Sequence, residues 1–237
     1  MRGSSRKRVS TMTIRAIAFD AYGTLFDVHS IGELADELFP GQGNALEELW
    51  RIKQIDYTRL RTLSNRYAPF SQVTREALVF AGKSLGLLLS DERIMRLMRQ
   101  YDRLAPFPEN AAALARLKAH GLPLAILSNG DPAMLAAVVA HAGLDNVFDH
   151  LLSVDTVRRF KTAAEAYALA PTAFSLDAKD ILFVSSNCWD VCGATWFGFT
   201  SFWINRAGAP REELGVAPHG EGRTMDDVVA FVATLRD

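Results

Sequence analysis

The sequence has 237 residues, 49% of them hydrophobic and 22% charged, so the chain is long enough to bury a sizeable core. Its formal net charge of -1 gives no sign of the broad basic surface that nucleic-acid binding requires, and small molecules are the expected partners. The most apolar longer stretch, residues 133–144, is only 12 residues long and contains His141, so no membrane-spanning segment is expected.

The first 12 residues are basic and polar, and they lack the apolar segment of a signal peptide. We predict a disordered leader or a cloning remnant here, with Met12 as a candidate native start. The two cysteines, Cys188 and Cys192, are too few for a disulfide framework, and no histidine lies at a zinc-ligand spacing from them. They are interpreted as structural thiols of a cytosolic protein.

The first predicted strand covers residues 14–19, an apolar run whose length and composition are typical of a buried strand in a parallel sheet. It ends at Asp20, and Gly23 and Thr24 then mark a turn. Ligands of open α/β sheets bind at the carboxyl ends of the strands, so Asp20 is a candidate for chemistry. On this stretch alone, a structural role for Asp20 in the turn is equally open.

Residues 28–101 are predicted to be almost wholly helical and contain no convincing buried strand. Apolar residues recur there at helical spacing, and Pro40, Gly41, Pro69 and the stretch 86–91 divide the segment into about four helices. We predict that this segment is inserted directly after the first strand and covers the site at that strand's end.

From residue 102 onward, predicted helices and strands alternate. The helices are predicted over residues 109–120, 132–143, 163–174 and 225–235, with another beginning near Asp190, and the strands over residues 122–127, 150–154, 181–184 and 201–204. Such alternation implies a parallel sheet. The predicted fold is therefore α/β, a doubly wound, Rossmann-like sheet formed by residues 13–27 and 102–237, with residues 28–101 inserted as a helical cap.

Polar side chains follow three further predicted strands and are expected at the same sheet edge as Asp20. They are Ser128, Asn129, Lys161, Ser185, Ser186, Asn187 and Asp190. Any one of them could be an ordinary polar loop residue. Together they favour a functional site, because converging buried polar groups need partners.

These motifs resemble those of the haloacid dehalogenase superfamily, and closely those of its (S)-2-haloacid dehalogenases. The resemblance rests on Asp20-Ala21-Tyr22-Gly23-Thr24, on Ser128-Asn129, on Lys161 and on residues 185–190, and it covers essentially residues 14–206. Arg51, Asn65-Arg66-Tyr67, Phe70 and Ile204-Asn205-Arg206 also resemble that branch. One departure is Thr162, which follows Lys161 where the family usually has proline; it bears on the rigidity of that loop and leaves the cation in place.

The resemblance implies a hydrolase that needs neither cofactor nor metal and converts short (S)-2-haloalkanoates into (R)-2-hydroxyalkanoates through an ester on Asp20. The implied catalytic roles are Asp20 as nucleophile, Lys161 as the cation that keeps it ionised, Thr24 and Asn187 as hydrogen-bond donors to it, and Asp190 as the base that activates water, oriented by Tyr167 and Ser185. The implied substrate contacts are Arg51, Asn129 and Phe70 for the halide, Ser128 for the carboxylate, and Tyr22 and Trp189 for the apolar wall. A cytoplasmic homodimer that joins through the inserted helices is also expected.

Two alternative hypotheses remain open at this point. Most members of the superfamily are magnesium-dependent phosphatases, which need a second aspartate two residues after the nucleophile as a general acid. That position is Tyr22 here, and residues 185–190 offer only one acid, Asp190, to hold a metal that prefers hard oxygen ligands. The other alternative is a protein on the same scaffold that binds a carboxylate without catalysis.

Overall fold

The computed structural model describes residues 13–235. The leader predicted for residues 1–12 therefore lies outside the described residues. Within 13–235, none of the helices combines the length and the apolar character needed to span a bilayer.

A six-stranded parallel sheet with the order β3-β2-β1-β4-β5-β6 forms the centre of the fold. Its strands are β1 (Ala16–Phe19), β2 (Leu124–Ser128), β3 (His150–Ser153), β4 (Ile181–Ser185), β5 (Thr200–Ile204) and β6 (Gly220–Gly222). The chain builds the sheet outward from β1 in both directions, with β2 and β3 on one side and β4 to β6 on the other. This confirms the predicted doubly wound fold and places the switch point, where such folds bind ligands, at the end of β1.

The inner strands are apolar because the sheet is covered on both faces. Every residue of β1, β2, β4 and β5 is buried. Residues of β1 alternate between two apolar clusters: Ile17 and Phe19 join one, and Ala16 and Ala18 join the other. The edge strand β6 was not predicted, because its sequence, Gly-Glu-Gly, contains no apolar residue.

Four helices within residues 28–101 follow β1, as predicted, and are called the inserted helices below. They are α1 (His29–Leu38), α2 (Gly43–Leu63), α3 (Phe70–Ser84) and α4 (Asp91–Gln100). The long helices α2 and α3 pack together, and the Trp50 indole donates a hydrogen bond of 2.7 Å to the Thr74 carbonyl between them. Trp50 and Phe70 belong to the same apolar cluster as Phe19, so the inserted helices share their core with one face of the sheet.

The remaining helices lie between or after the strands. They are α5 (Asn110–Ala119), α6 (Pro132–His141), α7 (Ala164–Tyr167), α8 (Leu169–Phe174), α9 (Cys188–Phe197) and α10 (Met225–Thr234). The single helix predicted over 163–174 is wrong: the structure divides it into α7 and α8. Pro171 explains the break, because it has no N–H to donate to the Tyr167 carbonyl one turn earlier. The helix predicted to begin near Asp190 begins at Cys188.

Candidate active site

Asp20 lies at the end of β1, and three side chains orient its carboxylate. Oδ1 accepts a hydrogen bond of 3.0 Å from the Lys161 ammonium. Oδ2 accepts hydrogen bonds from the Thr24 hydroxyl at 3.1 Å and from the Asn187 amide at 3.0 Å. Asp20 is only 7% exposed. The donors come from separate chain segments, so the parallel sheet is what brings them together.

The turn after Asp20 depends on Gly23, whose φ of 86° lies in the left-handed region that favours glycine. The turn directs the Thr24 hydroxyl back to Asp20, and the same oxygen accepts a hydrogen bond of 2.8 Å from the backbone N–H of Ser186 after β4. Asn110, which the sequence did not single out, donates a hydrogen bond of 2.8 Å to the Leu25 carbonyl. The turn is thereby held from two neighbouring segments.

Lys161 lies buried between two carboxylates. Its Nζ is 3.0 Å from Asp20 Oδ1 and 2.9 Å from Asp190 Oδ2. Burial alone would lower the pKa of Lys161, but the charges of Asp190 and Asp20 outweigh it and raise that pKa above its ordinary value. Asn129 positions this loop, since its side-chain oxygen accepts a hydrogen bond of 3.0 Å from the Lys161 backbone N–H. The peptide bond between Lys161 and Thr162 is cis.

Asp190 is fully buried, and both of its carboxylate oxygens accept hydrogen bonds. Lys161 donates to Oδ2, and the Tyr167 hydroxyl donates to Oδ1 at 2.7 Å. Burial raises the pKa of the Asp190 carboxyl, with the Lys161 charge opposing that shift. Gly193 makes room for this contact, because a Cβ there would collide with the Tyr167 hydroxyl. Asp190 is thus an oriented acceptor beside the nucleophile candidate.

Arg51 reaches this group of residues from helix α2. Its guanidinium donates hydrogen bonds to the Asn187 side-chain oxygen at 3.3 Å and to the Gln54 side-chain oxygen at 2.7 Å. Gln54 is buried and donates in turn to the Thr74 hydroxyl on α3 at 2.8 Å. The Asn187 amide therefore contacts Arg51 on one side and Asp20 on the other. Gln54 was missed, although a glutamine on the buried face of α2 three residues after Arg51 was the signal available.

Ser128 and Ser185 occupy matching places at the ends of β2 and β4. The Ser128 hydroxyl accepts a hydrogen bond of 3.1 Å from the Gly130 backbone N–H, and the Ser185 hydroxyl accepts one of 3.1 Å from the Asn187 backbone N–H. Of the two residues predicted to orient Asp190, Tyr167 contacts its carboxylate, whereas Ser185 contacts the backbone of Asn187. Each serine hydroxyl also carries a proton that it can donate.

Aromatic side chains line the side of the site below the inserted helices. Tyr22 stacks on Phe70 with ring centroids 6.2 Å apart and meets Tyr101 edge-on at 5.6 Å. Phe70 also packs against Phe160 at 6.2 Å. Burial raises the pKa of Tyr22 well above its usual value, and its hydroxyl has no hydrogen-bond partner in the part of the chain that is described. This wall is neutral at any ordinary pH.

Trp189 lies on the opposite side, half-buried beneath the Arg59 guanidinium, which is 5.2 Å from its ring centroid. It lines a cavity of about 310 Å³ between α2 and α9. Arg51 and Asn187 line the same cavity, which also touches Ile55. The cavity is therefore lined by three of the predicted site residues.

Asp131 is a further residue that the sequence did not single out. Its carboxylate accepts hydrogen bonds of 2.6 Å from the Phe70 backbone N–H and 2.9 Å from the Ser71 backbone N–H. These are unpaired donors at the start of α3, where the N-cap residue, Pro69, makes no side-chain cap. Its position before Pro132 suggested only the start of α6, so no local signal pointed to its partner.

A model of haloacid dehalogenase-like hydrolases matches residues 14–198 of the chain. The chain belongs to the haloacid dehalogenase-like hydrolase family. Within this family it is 52% identical to the (S)-2-haloacid dehalogenase of Pseudomonas sp. (strain YL), over 93% of this chain and 95% of that protein. It is 44% identical to haloacetate dehalogenase H-2 of Moraxella sp. (strain B), over 93% of this chain and 98% of that protein.

Solved structures of the family include an L-2-haloacid dehalogenase from Xanthobacter autotrophicus with chloropropionic acid covalently bound. It superposes on this chain with a TM-score of 0.87 and is 38% identical to it, and the match covers 93% of this chain and 99% of that one. The family match therefore extends across both the sheet and the inserted helices.

Proposed function

We propose that this chain hydrolyses short (S)-2-haloalkanoates to (R)-2-hydroxyalkanoates and halide, through a covalent ester on Asp20. The observation that carries the proposal is the arrangement of Asp20 and Asp190, two buried carboxylates joined by Lys161. Asp20 can attack carbon in the first step, and Asp190 can activate water in the second. The covalent chloropropionic acid adduct of the Xanthobacter relative supports the same chemistry.

In the first step, an oxygen of Asp20 attacks the α-carbon of the substrate on the side opposite the carbon–halogen bond. The carbon–oxygen bond forms as the carbon–halogen bond breaks, and the halide leaves with the bonding electrons. Arg51, Asn129 and Phe70 are the proposed halide contacts. Fixed donors in a site that excludes water stabilise the charge that develops on the leaving halide.

In the second step, Asp190 takes a proton from water, and the resulting hydroxide attacks the carbonyl carbon of the Asp20 ester. Lys161 is close enough to both carboxylates to stabilise the charge that forms there. The bond between the carbonyl carbon and the ester oxygen then breaks, and the ester oxygen takes the proton back from Asp190 as the hydroxy acid is released. The new carboxyl group loses its remaining proton to solvent, which restores the Asp20 carboxylate. Burial favours the protonated form of Asp190, so accepting a proton is less costly for it than for an exposed aspartate.

The remaining site residues have proposed roles in binding and orientation. Ser128, whose hydroxyl proton is free to be donated, would bind the substrate carboxylate together with nearby backbone N–H groups. Tyr22 and Trp189 would form the apolar wall around the alkyl group. Residues 28–101 would act as the helical cap over the core formed by residues 13–27 and 102–237.

The same proposal includes a homodimer in the cytoplasm, joined through the inserted helices. Four large apolar side chains are exposed on α2 and α3: Leu63 is 82% exposed, Leu60 54%, Ile52 53% and Phe80 40%. Such side chains are costly to leave in water, which favours their burial against a second copy. Light scattering of the purified protein tests this directly, and a monomer at micromolar concentration would contradict it.

The decisive assay incubates the protein with (S)-2-chloropropionate in EDTA and measures free chloride. We expect continuous chloride release that EDTA does not slow. A magnesium-dependent phosphatase would instead release phosphate from phosphomonoesters and lose activity to the chelator. A non-catalytic protein would bind the haloacid and release nothing.

Chiral chromatography of the lactate formed in that assay tests the in-line displacement. Attack by Asp20 inverts the α-carbon, and hydrolysis at the aspartyl carbonyl leaves that carbon untouched, so (R)-lactate is expected. Retained configuration would require a second displacement at carbon and would contradict the ester mechanism.

A further inference from the structure

A second pocket lies apart from Asp20, where the loop between α2 and α3 meets the segment that follows β3. Its volume is about 380 Å³, and its lining residues are Asn65, Arg66, Tyr67, Val157, Arg158 and Arg159. Arg66 and Arg158 are exposed, and Arg159 is half-buried. The size lies within the range of pockets that hold small molecules.

The pocket brings three arginines together without an acidic residue in its lining. Counting residues 13–235, none of the three forms an ion pair. Arg158 lies 5.5 Å from the Tyr67 ring centroid, and Arg159 donates a hydrogen bond of 2.7 Å to the Thr62 carbonyl. The neighbouring acid, Asp155, accepts a hydrogen bond of 2.6 Å from the Tyr67 hydroxyl. Three positively charged side chains therefore line one pocket of a chain whose net charge is -1.

A second arginine-lined cavity provides a contrast. It has a volume of about 230 Å³ and is lined by Leu34, Arg96, Arg99, Gln100 and Arg103. There the guanidinium of Arg96 forms an ion pair of 2.8 Å with Glu37. One arginine of this cavity is thus paired with an acid. The pocket lined by Arg66, Arg158 and Arg159, called the Arg66–Arg159 pocket below, has no such pair.

We infer that the Arg66–Arg159 pocket binds a small, multiply charged oxyanion of the phosphate class. Guanidinium groups present a planar fork of donors that matches phosphate oxygens, and a cleft lined by one sign of charge concentrates ions of the other sign. Three converging cations favour a ligand with more than one negative charge over a simple carboxylate. The inference does not depend on the proposed dehalogenase activity.

The pocket also has a direct connection to the active site. The Thr62 hydroxyl, at the end of α2, accepts a hydrogen bond of 3.1 Å from the backbone N–H of Phe160, the residue before Lys161. An oxyanion held by both Arg66 and Arg158 would tie the α2–α3 loop to the segment leading to Lys161. Binding of the oxyanion would therefore stabilise the contact between the inserted helices and the segment that leads to Lys161.

The test is isothermal titration calorimetry of the full chain with inorganic phosphate, at constant ionic strength, in the absence of any haloacid. We expect one phosphate per chain. The double variant Arg66→Gln, Arg158→Gln should bind it at least tenfold more weakly. Arg99→Gln, which removes an arginine from the contrasting cavity, should bind it within twofold of the unaltered protein. Circular dichroism and melting temperature establish that each variant is folded.

Several outcomes would overturn the inference. One is the absence of phosphate binding to the unaltered protein. Another is an Arg99→Gln variant that binds phosphate as weakly as the double variant does, which would indicate general charge attraction. If acetate bound as tightly as phosphate, the pocket would be a site for singly charged carboxylates instead. Because no haloacid is present, failure here leaves the dehalogenase proposal untouched, and failure of the chloride assay leaves this inference untouched.

Discussion

The two sides of the site are built differently. Lys161 and Asp190 have side chains that are 1% and 0% exposed, and the loops at the ends of the parallel strands hold them beside Asp20. On the other side, the inserted helices reach the hydrogen bonds of Asp20 through the contact of 3.3 Å between Arg51 and Asn187. The loops at the strand ends hold the charged groups in place by buried ion pairs. The inserted helices add a partly buried hydrogen bond on top of them.

The energetic consequences of these two arrangements also differ. Removing one member of a buried ion pair leaves an uncompensated charge and costs about 3–5 kcal/mol of stability. Losing a partly exposed hydrogen bond costs about 1 kcal/mol. Changes to the buried ion pairs should therefore alter both stability and chemistry strongly, whereas changes on the helix side should alter chemistry with a smaller loss of stability.

The largest effect is expected from separating the two aspartates. Asp20→Asn should release no halide, because it has no nucleophile. Asp190→Asn should release up to about one halide per active site in rapid mixing and then stall, because displacement does not need the base whereas ester hydrolysis does. Mass spectrometry of the stalled variant should find the substrate's acyl skeleton on the peptide that carries Asp20.

An oxygen-labelling control sharpens this result. A single turnover of the unaltered protein in heavy-oxygen water should give an unlabelled product hydroxyl, with the label left in Asp20. Full labelling of the first-turnover product would mean that water attacks carbon directly and that Asp20 acts as a general base.

Lys161→Met should come next, with a loss of roughly 3–5 kcal/mol in the free energy of unfolding at pH 7 and almost no turnover. Burial raises the pKa of Asp190 and the Lys161 charge opposes that shift, so without the cation the pKa of Asp190 in the folded state should lie further above its unfolded value. The folded state then binds more protons, and the deficit should shrink as pH falls from 7 to 5.

Urea denaturation at both pH values measures this deficit. Lys179→Met is the matched control, because Lys179 pairs with Asp177 at the surface, where the two side chains are 75% and 76% exposed. A deficit for Lys161→Met that stayed constant with pH would contradict the account of the buried charges.

Arg51→Lys should lower kcat about a hundredfold on chloro and bromo substrates while the melting temperature changes little. Lysine keeps the charge but loses the planar fork of donors that contacts both Gln54 and Asn187. Arg59→Lys is the control, since Arg59 lines the same cavity and has no proposed contact with the halide. Near-full turnover by Arg51→Lys would exclude the halide role.

The smallest effect is expected from Asp131→Asn, which should cost about 1–2 kcal/mol of stability. An asparagine oxygen can still accept one N–H from the start of α3, but its NH₂ group cannot accept the other. We expect KM to rise more than kcat falls, because α3 positions Phe70 and leaves Asp20 in place. Asp145→Asn, an exposed aspartate outside the site, should change neither constant.

Patterns within short segments were enough to predict most of the fold. The apolar run before Asp20 predicted β1, because a strand covered on both faces must be apolar throughout. Helical spacing and the breaks at Pro40, Gly41 and Pro69 predicted the four inserted helices. The predicted 163–174 helix is divided at Ala168, and the residue that explains the division, Pro171, is also visible in the sequence.

The sequence was enough to predict which residues form the candidate site, but it predicted fewer of the contacts between them. Polar residues after successive strands indicated that Asp20, Lys161 and Asp190 would meet, because the carboxyl ends of parallel strands share one edge. The double contact of the Asn187 amide with Asp20 and Arg51 was not predicted. It depends on where α2 lies over the sheet, which no local pattern encodes.

The sequence by itself therefore determined the strands, the inserted helices and the set of polar residues at one sheet edge, since backbone preference and burial act over a few neighbouring residues. Only the tertiary structure decided that Asp131 caps α3 rather than its own helix and that Ser185 binds the Asn187 backbone. It also paired β6, a strand without an apolar pattern, with β5. Each of these contacts joins groups that become neighbours only when the helices pack on the sheet, so the sequence around either group does not identify its partner.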